Sequence, residues 1–228
     1  MKFVGEGTPK TLLPIRKYRI IDRILGSLAA NSIANVRIVI GYRATSVMDY
    51  VSKSYHEPDF DLTFVYNPCY QTSNTAFSLW LASAPLGHTD TIIVNGDVII
   101  NEETVRRLVS RKGSCLCCLR RKCGEEEVKV SVHGSTIISL GKKLDPSESW
   151  GEYVGLAKFS INDGQRLRIA LQNANSTVKS QLFYDDVINQ ILNRINLSLV
   201  DVSDLPIAEI DTQEDLAQWT KKFGGRKS

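Results

Sequence analysis

Residues 91–100, with the sequence TIIVNGDVII, constrain the fold of this chain more than any other segment. The run TIIV is typical of a strand that is buried on both faces, as in a parallel sheet. It ends at NGD, so Asp97 lies where the strand leaves the core. Ligands of open α/β sheets bind outside the carboxyl ends of the strands. Asp97 is therefore a candidate Mg²⁺ ligand beside a phosphate, and capping of the next helix is the alternative interpretation.

Strand and helix patterns alternate through the first half of the chain. Apolar residues recur at helical spacing from Ile20 to Leu28, and further helices are predicted over 45–55, 74–84 and 102–111, the last opened by Asn101 as its cap. Strands are predicted over 36–40 and 62–66. This alternation predicts an α/β fold with three layers, in which a mixed, mostly parallel, Rossmann-like sheet is flanked by helices.

The second half of the sequence is richer in strands. Strands are predicted over 114–119, 127–132, 136–140, 153–159 and 197–202, and helices over 161–171 and 184–193. The sequence Asp211-Thr212-Gln213-Glu214 has a cap followed three residues later by an acid, which predicts a last helix through Trp219. We find no repeat or linker and predict one domain over residues 1–228, with a β-rich portion over 113–160.

Four of the five cysteines crowd into residues 115–123. A zinc site would usually combine CxxC pairs from two places, and no pair of histidines lies nearby. In a strand, Cys115, Cys117 and Leu119 would share one face, with Leu116 and Cys118 on the other. A core strand is the favoured interpretation and metal binding the alternative.

Charge and hydropathy exclude several classes of function. A net charge of +3 without a long basic run argues against nucleic acid as a partner. No apolar stretch approaches the roughly 20 residues of a membrane span, and the amino terminus lacks the apolar core of a signal peptide. We therefore expect a cytoplasmic protein with no membrane contact.

Two acids and a lysine are candidates for phosphate chemistry. Asp97 and Asp211 each follow a short predicted strand and precede a helix, so they can lie along one sheet edge and share Mg²⁺. Helix capping is the alternative for Asp211. Gly5, Gly7 and Lys10 could form a phosphate site, in which glycine backbone N–H groups face the anion, although a polar turn would give the same pattern.

Two polar clusters are candidates for ligand recognition. Amides and hydroxyls before the third helix can read a nucleobase edge, or else form an N-cap and a turn: Asn67, Gln71, Ser73, Asn74 and Thr75. Aromatic and acidic residues of the second half suit a cationic head group, or else pack against strands: Trp150, Glu152, Tyr153, Tyr184, Asp185 and Asp186.

Together these stretches resemble the nucleotidyltransferase family that includes sugar-phosphate nucleotidyltransferases and phosphocholine cytidylyltransferases. TPKTLLPI at residues 8–15 resembles the family's PKxLLP segment, VNGD at 94–97 the strand that ends in the metal-binding aspartate, and EIDT at 209–212 the segment with the second metal ligand. YNPCYQTSN at 66–74 and GEYVG at 151–155 look most like cytidylyltransferases that act on small phosphorylated amino alcohols.

The resemblance implies a GT-A-like fold and a role for each matching residue. Lys10, Asp97 and Asp211 would be catalytic, with Mg²⁺ as the cofactor on the two aspartates. The nucleotide would contact Gly7, Lys10, Gly41, Asn67, Ser73, Asn74, Thr75 and Gly96. The β-rich portion would lie on the acceptor side, and the acceptor would contact Trp150, Glu152, Tyr153, Tyr184 and Asp186.

The start of the chain departs from the family pattern. The family begins with a strand and a glycine-rich LAAGxGxR loop, whereas only Met1–Val4 precede Gly5 here. We therefore expect the first strand and most of the phosphate loop to be missing, and favour a clipped start over a degenerate member.

The resulting functional prediction is Mg²⁺-dependent cytidylyl transfer from CTP to a small phosphorylated amino alcohol, of the phosphocholine or 2-aminoethylphosphonate type, with release of pyrophosphate. The partners would be a nucleoside triphosphate and this acceptor. The alternatives are a sugar-1-phosphate nucleotidyltransferase that makes an NDP-sugar, and a nucleotide-binding protein that has lost catalysis. The nucleotide base, the acceptor and the oligomeric state are left open, a homodimer included.

Overall fold

A computed structural model describes residues 7–55, 60–175 and 181–223. Residues 1–6 lie outside the described ranges. The structure therefore does not test the expectation of a missing first strand and loop, or the role considered for Gly5. The described ranges hold seven α-helices: α1 Ile20–Ala29, α2 Ala44–Ser54, α3 Thr75–Leu81, α4 Glu102–Ser110, α5 Ile161–Asn175, α6 Tyr184–Gln190 and α7 Gln213–Phe223.

Twelve strands lie in the same ranges. They are β1 Pro14–Ile15, β2 Tyr18–Arg19, β3 Asn35–Ile40, β4 Asp61–Tyr66, β5 Thr91–Val94, β6 Val98–Ile99, β7 Ser114–Leu119, β8 Lys129–His133, β9 Thr136–Gly141, β10 Gly151–Phe159, β11 Leu197–Asp201 and β12 Ala208–Glu209. Six of them form the central sheet in the order β5-β10-β7-β11-β9-β8, in which β10 also pairs with β8. Separate two-stranded pairs are β1-β2, β3-β4 and β6-β12.

The central sheet is the middle layer between two groups of helices. One core cluster packs α1, α4 and α7 against one face, through residues such as Ile24, Leu108 and Trp219. The other packs α3, α5 and α6 against the opposite face, through residues such as Leu167 and Ile188. Strand β10 is buried along all of its nine residues. The predicted mixed α/β fold is therefore confirmed.

One detail of the predicted sheet differs. Only β3–β4 and β7–β11 are parallel pairs among the described strands, and the other pairings are antiparallel. The cause lies in the β-rich portion, where β10 runs against β5, β7 and β8, and where β8 and β9 are joined by a short turn that contains Gly134. Hairpin connections of this kind produce antiparallel neighbours.

Strand β7 carries the cysteines into the core on both of its faces. Cys115 and Cys117 belong to the cluster around α1 and α4, whereas Cys118 belongs to the cluster around α5 and α6. All three are fully buried free thiols, and burial raises the pKa of each above its ordinary value. The predicted core strand is thus confirmed.

Within the described ranges, no helix combines the length and the apolar character needed to cross a bilayer.

Candidate active site

Two very short strands bring the candidate acids together. β6 and β12 pair antiparallel, with Val98 opposite Glu209, and the N–H of Ile210 donates to the Asp97 carbonyl at 2.9 Å. Val98 and Ile210 are fully buried, so the core anchors both segments. Asp97 precedes β6 and Asp211 follows β12, and the pairing therefore places their side chains at one site.

Glu209 is a third acid at this site, and sequence reasoning missed it. One carboxylate oxygen from each of Asp97, Glu209 and Asp211 lies within 4.8 Å of the others. The signal in the sequence was the EID triplet, in which residues 209 and 211 share one face if the segment is extended. Only the second acid of the triplet was selected as a candidate.

Lys10 is the cation that faces these acids. Its Nζ lies 3.5 Å from Asp97 Oδ2 and donates a short hydrogen bond to Asp211 Oδ1. Lys10 begins a 3-10 turn, Lys10–Leu12, that is anchored by buried Leu12 and Leu13. The neighbouring Thr11 packs close to Gly96, with 4.0 Å between its Cβ and the place of a Cβ on that glycine. The lysine turn and the Asp97 segment are therefore in direct contact.

Neither Asp97 nor Asp211 caps a helix through its side chain. Asn101 caps α4, since its Oδ1 accepts from the N–H of Thr104 at 3.0 Å. The box at α7 is formed by Thr212 and Asp215 and not by Asp211 and Glu214 as predicted: Thr212 Oγ1 accepts from the Asp215 N–H at 3.1 Å, and Asp215 Oδ2 accepts from the Thr212 N–H at 2.7 Å. The cap sits one residue later than predicted, and the Asp211 side chain accepts a hydrogen bond from Lys10 instead. Asp211 is consequently free for the site.

Burial and neighbouring charges shift the pKa values of this cluster. Burial raises the pKa of Asp97, an effect that Lys10 opposes and Asp211 reinforces. Burial alone would lower the pKa of Lys10, but the hydrogen bond to Asp211 and the attraction of Asp97 outweigh it and raise that pKa. Glu209 keeps an exposed surface, yet partial loss of hydration and repulsion by Asp97 and Asp211 raise its pKa to about 8.

The three carboxylates fit a hard divalent cation. Mg²⁺ binds through oxygen ligands, commonly one or two carboxylates together with substrate phosphates. Burial and, after it, repulsion between the acids raise the pKa values of Asp97 and Glu209, although Lys10 is present. A cation at this place would relieve that repulsion.

Apart from Lys10, the predicted nucleotide-binding residues are three glycines and four residues of the polar loop and the start of α3. Gly7 has a positive φ of 92° and lies against the Arg43 guanidinium, where a Cβ would be 2.8 Å from Nη2. Gly41 at the end of β3 lies under the Tyr70 ring, where a Cβ would be 2.5 Å from the Tyr70 Cβ. Gly96 lies beside Thr11 in the lysine turn. Gly7 and Gly41 thus permit the close approach of the Arg43 and Tyr70 side chains.

The polar loop before α3 is held by Asn67. Its buried Nδ2 donates to Ser73 Oγ at 3.2 Å and to Ser78 Oγ at 3.0 Å, and its Oδ1 accepts from the Cys69 N–H at 2.8 Å. Asn74 Oδ1 accepts from the N–H of Thr75 at 2.9 Å at the start of α3. Asn67 therefore shapes the loop that presents Ser73 and Asn74, and both of its amide hydrogens are already used inside the protein.

Thr75 connects this loop to α6. Its Oγ1 accepts from the Tyr184 N–H at 3.0 Å, which joins the predicted nucleotide side to the predicted acceptor side.

The predicted acceptor residues are engaged in several interactions of their own. Glu152 is buried and pairs with Arg121, whose Nε lies 2.6 Å from Oε2. Asp186 accepts from the Phe183 N–H at 3.1 Å at the N-terminus of α6. Trp150 lies under the Arg120 guanidinium at 5.9 Å. Sequence reasoning missed both arginines because they lie in a connection without a pattern of its own.

Tyr153 and Tyr184 are nearly fully buried, and their hydroxyl oxygens lie 2.6 Å apart. The Tyr184 hydroxyl donates to Asn95 Oδ1 at 3.0 Å, two residues before Asp97. The acceptor-side tyrosines are thereby connected to the segment that carries the candidate metal ligand.

Two surface concavities lie elsewhere. One of about 550 Å³ is lined by residues that include Lys129, Lys142 and Asp145, and one of about 240 Å³ by Arg16, Lys17, Tyr18 and Arg23. Neither is lined by Lys10 or the three acids. The chemistry of the side chains, rather than the size of a cavity, selects the site.

Comparisons with known proteins point to the same chemistry as the residues. The chain is 27% identical over 215 residues to a 2-aminoethylphosphonate cytidylyltransferase of Lancefieldella rimae, covering 92% of this chain and 82% of that protein. It is 25% identical over 231 residues to a choline-phosphate cytidylyltransferase of Haemophilus influenzae, covering 99% of this chain and 93% of that protein. No family model matches the chain.

A solved structure shares the fold. The structure of CTP:phosphocholine cytidylyltransferase from Streptococcus pneumoniae superposes with a TM-score of 0.78 at 17% identity, covering 95% of this chain and 90% of that one. These comparisons confirm the resemblance to nucleotidyltransferases that the motifs indicated.

Proposed function

We propose that this chain, a nucleotidyltransferase by its relatives and its fold, transfers a cytidylyl group from CTP to a small phosphorylated amino alcohol or aminophosphonate. The observation that carries the proposal is the cluster in which Lys10 faces Asp97, Glu209 and Asp211. It combines a phosphate-directed cation with acids for a divalent metal, and the two sequence relatives reported above are named as cytidylyltransferases.

The proposed reaction is one substitution at phosphorus. An oxygen of the acceptor's phosphate or phosphonate forms a bond to the α-phosphorus of CTP. The bond from that phosphorus to the bridging oxygen of the β-phosphate breaks, and pyrophosphate leaves with the electron pair. Phosphoryl transfer of this kind depends on positioning and on charge stabilisation more than on a covalent protein group.

Asp97, Asp211 and Glu209 would hold Mg²⁺, and the main chain fixes their relative positions. Ile210 N–H donates to the Asp97 carbonyl, and the β6–β12 pair joins the two acid-bearing segments. When bound, Mg²⁺ supplies positive charge and orientation at the reacting phosphate.

Lys10 is the residue of this cluster that would meet the nucleotide phosphates. Its ammonium is held by Asp97 and Asp211, and its raised pKa keeps it charged at neutral pH. A lysine ammonium is a compact charge on a flexible stem, suited to follow a phosphate whose charge changes during reaction.

The two relatives support an acceptor with a positive end. They are named for 2-aminoethylphosphonate and for choline phosphate, which carry an amine and a quaternary ammonium. Within the cluster itself, Mg²⁺ and Lys10 would balance the charge of the three acids, and Arg121 pairs with Glu152 on the predicted acceptor side.

The test is pyrophosphate release in the presence of Mg²⁺ from CTP, UTP, dTTP, ATP or GTP, each with phosphocholine, 2-aminoethylphosphonate or glucose 1-phosphate. We expect release with CTP and an amine-bearing acceptor. Release with glucose 1-phosphate alone would instead support a sugar-1-phosphate nucleotidyltransferase. Tight CTP binding without release would support a nucleotide-binding protein that does not catalyse transfer.

A further inference from the structure

Asn95 stands where three parts of the site meet. It lies between the end of β5 and Asp97, its N–H donates to the Gly155 carbonyl at 2.8 Å, and its Oδ1 accepts from the Tyr184 hydroxyl. Asn95 was not selected in the sequence as a functional residue. Its side-chain nitrogen Nδ2 donates to no acceptor within the described parts of the chain, and the residue is only partly buried.

The hydroxyl chain fixes which way the Asn95 amide points. Tyr153 and Tyr184 are 4% and 3% exposed, and burial raises the pKa of both, so both hydroxyls keep their protons. If Tyr153 donates to Tyr184 and Tyr184 donates to Asn95 Oδ1, each proton has an acceptor.

The reverse order is disfavoured. With the amide flipped, Nδ2 would donate to Tyr184 and Tyr184 to Tyr153, and the Tyr153 proton would then have no acceptor among the described residues. A buried donor left unsatisfied costs about 1–3 kcal/mol. The amide orientation with Oδ1 toward Tyr184 is therefore the stable one, and it leaves Nδ2 as a free donor.

Gly155 makes room for this arrangement. It lies in an irregular stretch of β10, between Tyr153 and Ala157, where the register against β7 shifts. Its φ is +73°, and a Cβ there would lie 2.6 Å from Asn95 Nδ2. Only a residue without a side chain leaves the Asn95 amide in place.

We infer that Asn95 donates a hydrogen bond from Nδ2 to a phosphate or phosphonate oxygen of the acceptor, with its amide oriented by the Tyr153–Tyr184 hydroxyls. The inference rests on the proposed function for the identity of the acceptor. Asn95 adjoins Tyr184 on the acceptor side and is two residues from Asp97 on the metal side. A neutral donor at that junction suits an anionic oxygen that must approach the metal site. Tyr153 and Tyr184 then act as positioning residues through their hydroxyls.

Steady-state kinetics of three variants test this role. Asn95→Ala removes the donor, Tyr184→Phe removes only the hydroxyl that orients it, and Asn35→Ala is a control at an exposed asparagine of β3. We expect Asn95→Ala to raise the acceptor KM about tenfold or more, because hydrogen bonds to charged groups are strong, with the CTP KM changed less than about twofold.

Tyr184→Phe should raise the same KM by a smaller factor, and the double variant should be no worse than Asn95→Ala alone, because the hydroxyl acts through the amide. Asn35→Ala should match the wild type. Equal changes in both KM values and in kcat for Asn95→Ala, or additive effects in the double variant, would show a merely structural role and overturn the inference.

A second measurement separates this inference from the proposed function. Side-chain amide signals of ¹⁵N-labelled protein, with that of Asn95 assigned by its loss in Asn95→Ala, are followed during addition of 2-aminoethylphosphonate and, separately, methylphosphonate, with Mg²⁺ present. If the wild type shows no turnover, the proposed function is contradicted. The Asn95 side-chain amide signal still tests whether Asn95 binds the phosphonate. A saturable shift with either phosphonate supports it, and no shift with both overturns it.

Discussion

At the scale of single residues, the site is defined by one lysine and three acids that lie far apart in the sequence. Lys10, Asp97 and Asp211 were selected from the sequence because each stands beside a strand or a turn that suits phosphate binding. Glu209 was not, because its approach to Asp97 depends on the register of β6 against β12. Patterns of hydrophobicity cannot give that register for strands of two residues.

The first prediction concerns the pH dependence of stability through Glu209. Its pKa is raised from 4.5 to about 8, so the metal-free folded chain binds a proton that the unfolded chain releases within this range. Its contribution to stability is complete below about pH 4.5 and is lost as the pH rises through about 8. Glu209→Gln, which cannot ionise, should abolish this loss.

The measurement is Tm in EDTA at several pH values between 5 and 8, for wild type and Glu209→Gln. The difference in Tm, variant minus wild type, should grow as the pH rises. Glu148→Gln, at an exposed acid away from the cluster, is the control and should follow the wild type. A constant difference across the range would show that Glu209 has an ordinary pKa.

At the scale of elements, the helices and strands followed from local patterns more readily than the contacts between them. The faces of β7 were predicted correctly, since alternation along Cys115–Leu119 fixes them, and Asn101 caps α4 as predicted. Helix α3 is shorter than predicted and ends at Leu81. The pairing of Arg121 with Glu152 and that of Tyr184 with Asn95 were not foreseen, because they join segments with no shared local pattern.

The second prediction tests the irregular stretch of β10. Gly155→Ala would place a side chain at a positive φ and against the Asn95 amide, whereas Gly134→Ala has a similar φ of 62° with open space around it. The left-handed conformation alone costs a non-glycine residue about 1–2 kcal/mol. We expect Gly134→Ala to lose about that much free energy of unfolding and Gly155→Ala to lose more, in urea titrations. Equal losses would show that the approach of Asn95 to Gly155 imposes no constraint.

The third prediction tests the cap that leaves Asp211 free. Thr212→Ala removes the Oγ1 acceptor for the Asp215 N–H, and N-cap losses of this kind cost about 1 kcal/mol. Thr212→Ser keeps the hydroxyl and should restore most of the stability. The free energy of unfolding in urea measures both. If Ser were as destabilising as Ala, the methyl group of Thr212 and not its hydroxyl would be the stabilising part.

At the scale of the whole molecule, the three layers place the acid-bearing segments beside a rigid sheet. α1, α4 and α7 cover one face and α3, α5 and α6 the other, and the core clusters on the two faces extend to Ile210 and Tyr184. The layered α/β class was predictable because strand and helix patterns alternate clearly. The antiparallel share of the sheet was underestimated, since hairpins of the β-rich portion set it.

The fourth prediction concerns ligand-linked stability of the folded chain. A ligand that binds only the folded state at a hundredfold excess over its Kd adds about 2.7 kcal/mol. Mg²⁺ and CTP together should therefore raise the Tm of the wild type, and Asp97→Asn should lose most of this gain because a neutral amide replaces the anionic metal ligand. Asp61→Asn, at an exposed acid on β4, should keep it. The same gain in Asp97→Asn would place the ligand elsewhere on the molecule.

Turnover of Asp97→Ala beside the wild type tests most directly whether the Lys10–Asp97–Glu209–Asp211 cluster carries nucleotidyl transfer. Pyrophosphate release is measured with Mg²⁺, CTP and 2-aminoethylphosphonate or phosphocholine, and circular dichroism checks that the variant is folded. We expect a folded variant whose rate falls by about a hundredfold or more, because charge stabilisation at the reacting phosphate is lost. A folded Asp97→Ala protein that releases pyrophosphate at the wild-type rate would contradict the account.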